Sequence, residues 1–274
     1  IELTGLAGEY SSGYLQGREN ANQLCARLLC ALDEKLDIRL ISIAGGALEN
    51  RIARSCSAVF ACGAEQDAVL SAFKGEAAAI TREIGPIEAG FQARMIPCPG
   101  GRKLSKNSSR EVLSLLSLLP CGLLKRSARF PQIMSLCANW STVRTEGSTL
   151  IFTHELRASS DAQLEALERQ ITLLANTFSF ATLSRSSFPA WEYREDSRLC
   201  AALQQVFHQE TGRELGLIPV QGGLECGVFA SLHEDMDIIA MGPVGLDVHT
   251  PNERLDLSSF DGLFPIFQKL LASL

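Results

Sequence analysis

The architecture is set by Ile38-Arg39-Leu40-Ile41-Ser42-Ile43-Ala44-Gly45-Gly46. From Ile38 to Ile43 the run alternates toward a strand, and the glycine pair that follows is a turn signal. The flanking segments have other periods. Upstream, Asn20 to Lys35 carries Leu24, Leu28, Leu29 and Leu32 at helical spacing, and Ile1 to Leu6 reads as a strand. Downstream, Cys56 to Cys62 suits a short strand, and Glu65 to Ile84 is an amphipathic helix with Ala and Leu on one face. Gly90 to Cys98 closes the unit as a strand. Residues 1 to 100 thus read strand, helix, strand, strand, helix, strand.

The same logic continues after a Gly- and Lys-rich loop at Pro97 to Asn107. A helix over Ser109 to Leu118 stops at Pro120, which lacks the N–H a helix needs. Ile133 to Thr145 and Ser148 to Arg157 read as a hairpin about Glu146-Gly147. Asp161 to Ala175 is a helix with the stripe Leu164, Leu167, Ile171 and Leu174, and Asp161 is a candidate cap. Ala181 to Ser187 reads as a strand and Ser197 to Thr211 as a helix. The expected fold class is α+β: two successive β-α-β-β-α-β-like units forming an antiparallel sheet with helices packed on one face, over residues 1–210.

From Leu215 the pattern changes. Leu217 to Val220 and Asp237 to Met241 read as short apolar strands separated by a helix-sized segment, and Ser258 to Leu271 is a helix interrupted by Pro265. Strands alternating with helices predict a partial parallel α/β segment over 211–274. Such a segment needs more sheet than this stretch holds. The chain also opens on Ile1 in mid-strand, which reads as a fragment or a cut at a domain edge.

Composition narrows the function. A net charge of −6 disfavours a nucleic-acid surface, which needs a concentrated basic patch. Arg102-Lys103 and Lys125-Arg126 are too short for one. No apolar run is long enough to span a bilayer, so no membrane role is expected. The nine cysteines are an odd number, lack a C-x-x-C pair, and several sit in apolar helical patterns (Cys25, Cys30, Cys200). That is the pattern of free thiols in a reducing compartment, and the chain reads as cytoplasmic.

Several ordered motifs remain: Gly17-Arg18 with Asn20-Ala21-Asn22, Gly45-Gly46 with Asn50-Arg51-Ile52-Ala53-Arg54, Arg157-Ala158-Ser159-Ser160, Pro189-Ala190-Trp191, Gly223-Leu224-Glu225-Cys226-Gly227, and His249-Thr250-Pro251-Asn252-Glu253-Arg254. In this order they resemble the aminoacyl-histidine dipeptidases, a branch of the M20 metallopeptidases. The resemblance covers nearly the whole chain. It implies a lid domain at 1–210, used for substrate binding and dimerisation, followed by the C-terminal portion of a di-metal catalytic domain. It also implies hydrolysis of short Xaa-His-type peptides by a water activated between two metals, usually zinc, and a possible homodimer formed through the lid. The family's other metal ligands and catalytic Glu lie upstream of its lid, so no catalytic residue is expected in this chain.

The resemblance implies three site residues. His249 is the metal ligand, Arg157 pairs its guanidinium fork with the substrate carboxylate, and Asn20 hydrogen-bonds substrate. Each has a second reading from its residues alone: His249 as a loop histidine, Arg157 as a surface arginine at a strand end, Asn20 as a helix cap. His233-Glu234-Asp235 reads as a polar loop, and His154 and His208 as structural or solvated. Glu225 holds a glycine-flanked turn, and no base is legible that would make Cys226 a nucleophile. Tyr10 and Gln221 stand where the family has histidine, and neither carries a positive charge near neutral pH. A degenerate, non-catalytic relative acting in peptide binding or oligomerisation is the alternative reading.

Overall fold

The computed structural model describes residues 1–178, 185–218, 223–233, 235–246 and 252–274, and the chain divides into two compact units, Ile1–Arg185 and Ser186–Leu274. The first unit is a seven-stranded sheet, antiparallel at every pairing, with a layer of helices. Strand β1 (Glu2–Thr4) leads through a 3-10 turn (Ser11–Gln16) to helix α1 (Ala21–Leu36). Then come β2 (Arg39–Gly45), β3 (Cys56–Ala61), α2 (Gln66–Ile84) and β4 (Gln92–Arg94), as the alternating periods predict.

Helix α1 starts where it does because Asn20 caps it, its side chain accepting from the N–H groups of Asn22 and Gln23. It ends at Asp37, which takes a left-handed conformation with φ 50°. Leu28, Leu29 and Leu32 are fully buried and fix the face that α1 turns to the sheet. Helix α1 is flanked by α2 and by α3 (Lys106–Leu118), and α3 touches α4 (Asp161–Thr177), so the four form one layer. The cap of α4 is Ser160, accepting from Gln163 N, and not Asp161, which is the first helical residue.

The second half of this unit departs from the expected repeat. Its order is α3, β5 (Gly122–Arg126), β6 (Met134–Glu146), β7 (Thr149–Ala158), α4, a strand meander in place of a second β-α-β-β-α-β. The 13-residue β6 organises it. One edge pairs with β7 along its length, and the other pairs with β5 near its start and with β2 at Val143 and Arg144. Of the strand expected over Ala181 to Ser187, residues 181–184 lie outside the described residues, and 185–187 belong to no strand.

The glycine pair is where β2 leaves the sheet. Gly46 has φ 72°, and a Cβ there would sit 1.8 Å from the Ser141 carbonyl oxygen, so only glycine fits.

The second unit contains α5 (Arg198–Thr211), α6 (Glu225–Leu232), a two-stranded antiparallel pair β8 (Gly245–Leu246) and β9 (Arg254–Leu255), and α7 (Leu257–Ser273). Leu203 and Val206 of α5 pack on Ile266 and Leu270 of α7. Helix α5 therefore packs within this compact unit, which begins at Ser186. The expected parallel strands are not formed among the described residues: Asp237 to Met241 has no ladder partner, and 219–222 lie outside them. Helix α7 continues through Pro265. Among the described residues no helix is long and apolar enough to cross a membrane.

Candidate functional site

The β6–β7 hairpin pairs Asn139 with Glu155 and Cys137 with Arg157. Side chains alternate along a strand, so Cys137 and Asn139 face away from Ala138 and Trp140, which are packed in the other apolar clusters. On this face Arg157 donates from Nε at 2.9 Å and from an Nη at 2.5 Å to one oxygen of Glu155. The other Glu155 oxygen accepts from the hydroxyl of Ser11, which is fully buried at the start of the 3-10 turn. The two side chains of the ion pair are 30% and 17% exposed. This is a held, partly covered pair rather than a solvated arginine at a strand end, so water screens it less than it would a surface pair.

Beneath the cluster lies a buried polar network. Tyr14 donates to Asn139 Oδ1 at 2.9 Å, and the Asn20 amide donates toward the Trp140 carbonyl at 2.9 Å, Tyr14 Oη at 3.1 Å and Asn139 Oδ1 at 3.2 Å. Asn20 and Asn139 are both 0% exposed. The structure thus brings Asn20 close to the sheet face but gives its oxygen to the helix cap and its amide to the network. Burial pushes the Tyr14 hydroxyl well above its ordinary pKa, which keeps it a donor. Burial likewise raises the thiols of Cys121 and Cys137, the latter to about 12, so neither supplies a thiolate.

The loop between β1 and α1 carries Tyr10, Ser11 and Tyr14, and charged residues pin it at both ends. The buried Glu88 carboxylate accepts from Ala7 N at 2.9 Å and Glu19 N at 3.4 Å. Arg18 pairs with Glu9 at 2.7 Å and reaches Glu88 at 3.9 Å. That gives the Gly17-Arg18 motif a structural reason: Gly17 turns left-handed at φ 81°, and Arg18 ties the turn down. Tyr10 forms an isolated antiparallel bridge with Arg51, whose guanidinium lies 3.7 Å from the centroid of the Tyr10 ring. The Arg51 carbonyl in turn accepts from Asn139 Nδ2 at 2.9 Å.

The histidines separate clearly. His154 stacks on Trp140 with ring centroids 6.1 Å apart, and burial lowers its pKa to about 4, so it is neutral. His208, exposed on α5, pairs with Glu214 at 3.0 Å, and His233 ends α6. His249 and Gln221 lie outside the described residues. Glu225, Cys226 and Gly227 form the first turn of α6 rather than an isolated turn. Asp237 accepts from Leu199 N at 2.8 Å. Burial pulls its pKa upward, but that bond, Ser197 and Arg194 outweigh it and hold the carboxylate below its usual range. Among the described residues no group of three or more His, Cys, Asp or Glu could hold a metal ion. The described residues therefore do not fit the implied di-metal centre, and no catalytic step is assigned through it.

Sequence reasoning missed Ser11, Tyr14, Asn139 and Glu155. One signal was available: Asn139 sits mid-strand in an apolar run, where asparagine is disfavoured unless its amide is used.

Comparison with known proteins agrees with this fold. Residues 11–97 match the model of the peptidase dimerisation domain of the M20 family. The chain is 24% identical over 274 residues to the cytosol non-specific dipeptidase of Escherichia coli (strain K12), a match covering 99% of this chain and 56% of that protein. The crystal structure of the aminoacylhistidine dipeptidase from Vibrio alginolyticus superposes with a TM-score of 0.92 at 24% identity, over 100% of this chain and 56% of the other. The chain thus spans about half the length of the relatives it matches. Residues 11–97 thus resemble the dimerisation domain of the M20 peptidases, and the relative that nearly the whole of this chain aligns with is a dipeptidase, in agreement with the ordered motifs.

Proposed function

We propose that this chain is the lid and the C-terminal catalytic portion of a metal-dependent dipeptidase that hydrolyses short peptides of the Xaa-His type in the cytoplasm. The lid is residues 1–210, which include the first compact unit. The observation that carries the reading is the Arg157 fork, held half-covered on the sheet by Glu155 and Ser11, in a chain whose relative is named a dipeptidase. A guanidinium fixed this way suits a peptide carboxylate, because its planar donors match two carboxylate oxygens. Asn20 acts one step back, as the cap and amide that set the positions of Tyr14 and Asn139.

The metal chemistry that the resemblance implies, zinc with His249 as one ligand, would be assembled with residues outside 1–274. On that reading the chain alone binds peptide without cutting it. The dimerisation-domain match supports a homodimer formed through the first unit. The second reading, a non-catalytic relative, draws its support from Tyr10 and Gln221, which stand where the family has histidine.

The test is calorimetry of Gly-His binding together with chromatographic assay of its cleavage in added zinc. Saturable binding that weakens in Arg157→Gln, with no cleavage, is expected. Cleavage by the purified chain would overturn its assigned inactivity, and no binding would remove the substrate-binding role.

A further inference from the structure

We infer that Tyr10 and Arg51 form a second, permanently charged anion-binding element of the lid, and that Arg51 adds to the Arg157 fork an attraction for the carboxylate of a bound peptide. The inference rests on the proposed peptide-binding function and deepens it.

Arg157 already faces a carboxylate: its Nε and one Nη donate to Glu155, so the pair as a unit is close to neutral and attracts an incoming anion at long range only weakly. Arg51 differs. Among the described residues no carboxylate forms an ion pair with it, and its guanidinium rests 3.7 Å from the Tyr10 ring centroid. The stacking holds the cation face-on to the ring and leaves its N–H edge free of a competing acid.

The arginine backbone is fixed as well. Its carbonyl accepts from Asn139 Nδ2 at 2.9 Å, its neighbour Ile52 donates to the Glu9 carbonyl at 2.8 Å, and Ile52 is 1% exposed. The backbone anchor and the contact with the Tyr10 ring together reduce the freedom the side chain has to lose on binding, which favours affinity. Tyr10 and Ser11 are consecutive, and Ser11 donates to Glu155. The Arg51 cation and the Arg157–Glu155 pair therefore flank one short run of chain. Arginine stays charged at all working pH values, so this element does what an uncharged tyrosine at position 10 cannot do alone.

The first probe is N-acetylglycine, a minimal peptide carboxylate, against N-acetylglycinamide, followed by the arginine Nε–H resonances of the full 274-residue chain. The Arg51 signal, assigned by its loss in Arg51→Lys, should move with the carboxylate and not with the amide. Binding should be flat between about pH 5 and 9. An Arg51 signal that ignores the acid, or moves equally with both compounds, overturns the proposal.

The second probe is Gly-His. Arg51→Gln should weaken its binding at least about tenfold, the scale of a lost charge-assisted hydrogen bond, with partial recovery in Arg51→Lys. Unchanged Gly-His affinity in Arg51→Gln, with loss in Arg157→Gln, sinks the Arg51 element and leaves the peptide-binding function standing. An Arg51 signal that responds to N-acetylglycine in a chain that does not bind Gly-His supports the anion element and removes the dipeptide reading.

Discussion

Replacing Asn20 tests whether the buried network or the helix cap holds the lid together. In Asn20→Ala the N–H groups of Asn22 and Gln23 lose the Oδ1 that accepts them at 2.9 and 3.4 Å. A lost cap costs about 1 kcal/mol. The amide also vanishes from beneath Tyr14, Asn139 and the Trp140 carbonyl. Two of the three acceptors keep a donor: Asn139 Oδ1 still receives Tyr14, and the Trp140 carbonyl still receives Asn22 Nδ2 at 3.0 Å. The network loss therefore sits toward the low end of the range for buried polar groups, about 1 to 2 kcal/mol. The sum is about 2 to 3 kcal/mol, roughly thirty- to a hundredfold in the unfolding equilibrium.

Asn20→Ser separates the two parts, since serine caps a helix but has no amide to send into the sheet. The assay is urea unfolding followed by Trp140 fluorescence in a Trp191→Phe background, so that the signal comes from the first unit. The expected order of stability is wild type, then Asn20→Ser, then Asn20→Ala, with about 1 kcal/mol between the last two. An alanine variant within 1 kcal/mol of wild type would refute the reasoning. So would a serine variant as stable as asparagine, since the network would then contribute nothing.

His154 gives a pH test with a definite sign. Burial depresses its folded pKa to about 4, below the unfolded value of about 6.5, so the unfolded chain binds the proton first and stability falls as pH drops through that window. The loss is about 3 kcal/mol by pH 4. The difference between wild type and His154→Phe, which keeps an aromatic ring against Trp140, should vary with pH only there, and a pH-independent difference would show that the ring is protonated or solvated in the fold. Iodoacetamide at about pH 8 should modify exposed Cys98 first and leave Cys137 unreacted in the folded chain; early label on Cys137 in peptide mass spectra would contradict its burial. Gly46→Ala must move the Ser141 carbonyl or abandon φ 72°, and calorimetry should show a loss well above 1 kcal/mol. A melting curve matching wild type would mean β2 and β6 do not approach as closely as described.

The first unit was largely legible because its signals are local. Periodicity located α1, α2 and the β6–β7 hairpin, and the glycine pair marked the end of β2, although the reason for Gly46 is the Ser141 carbonyl far along the chain. Strand β5 was not legible. Lys125 and Arg126 look like a solvated loop, and they form a strand only because β6 offers an edge to pair with. The site divided along the same line. Asn20 could be read as a cap from its type and place, and Arg157 from its motif, but the partner of Arg157 and the hydroxyl that steadies that partner could not. Ser11 and Glu155 are separated by 144 residues and meet only once the loop lies across the hairpin.

The second unit shows the limit of periodic reasoning more sharply. Helix α7 buries Ile266 and Leu270 against α5, yet Phe260, Phe264, Phe267 and Leu271 on another face are 55%, 64%, 48% and 57% exposed. A helix with apolar residues all round carries no single stripe from which to read its partner. The apolar run Asp237 to Met241 is ambiguous in the same way. It has the composition of a buried parallel strand, but a strand is defined by the neighbour that accepts and donates its backbone hydrogen bonds, and none stands beside it among the described residues. Sequence pattern therefore specifies a surface's need for cover. Which element meets that need is a property of the tertiary arrangement, and for these two segments the described residues leave it open to a partner surface.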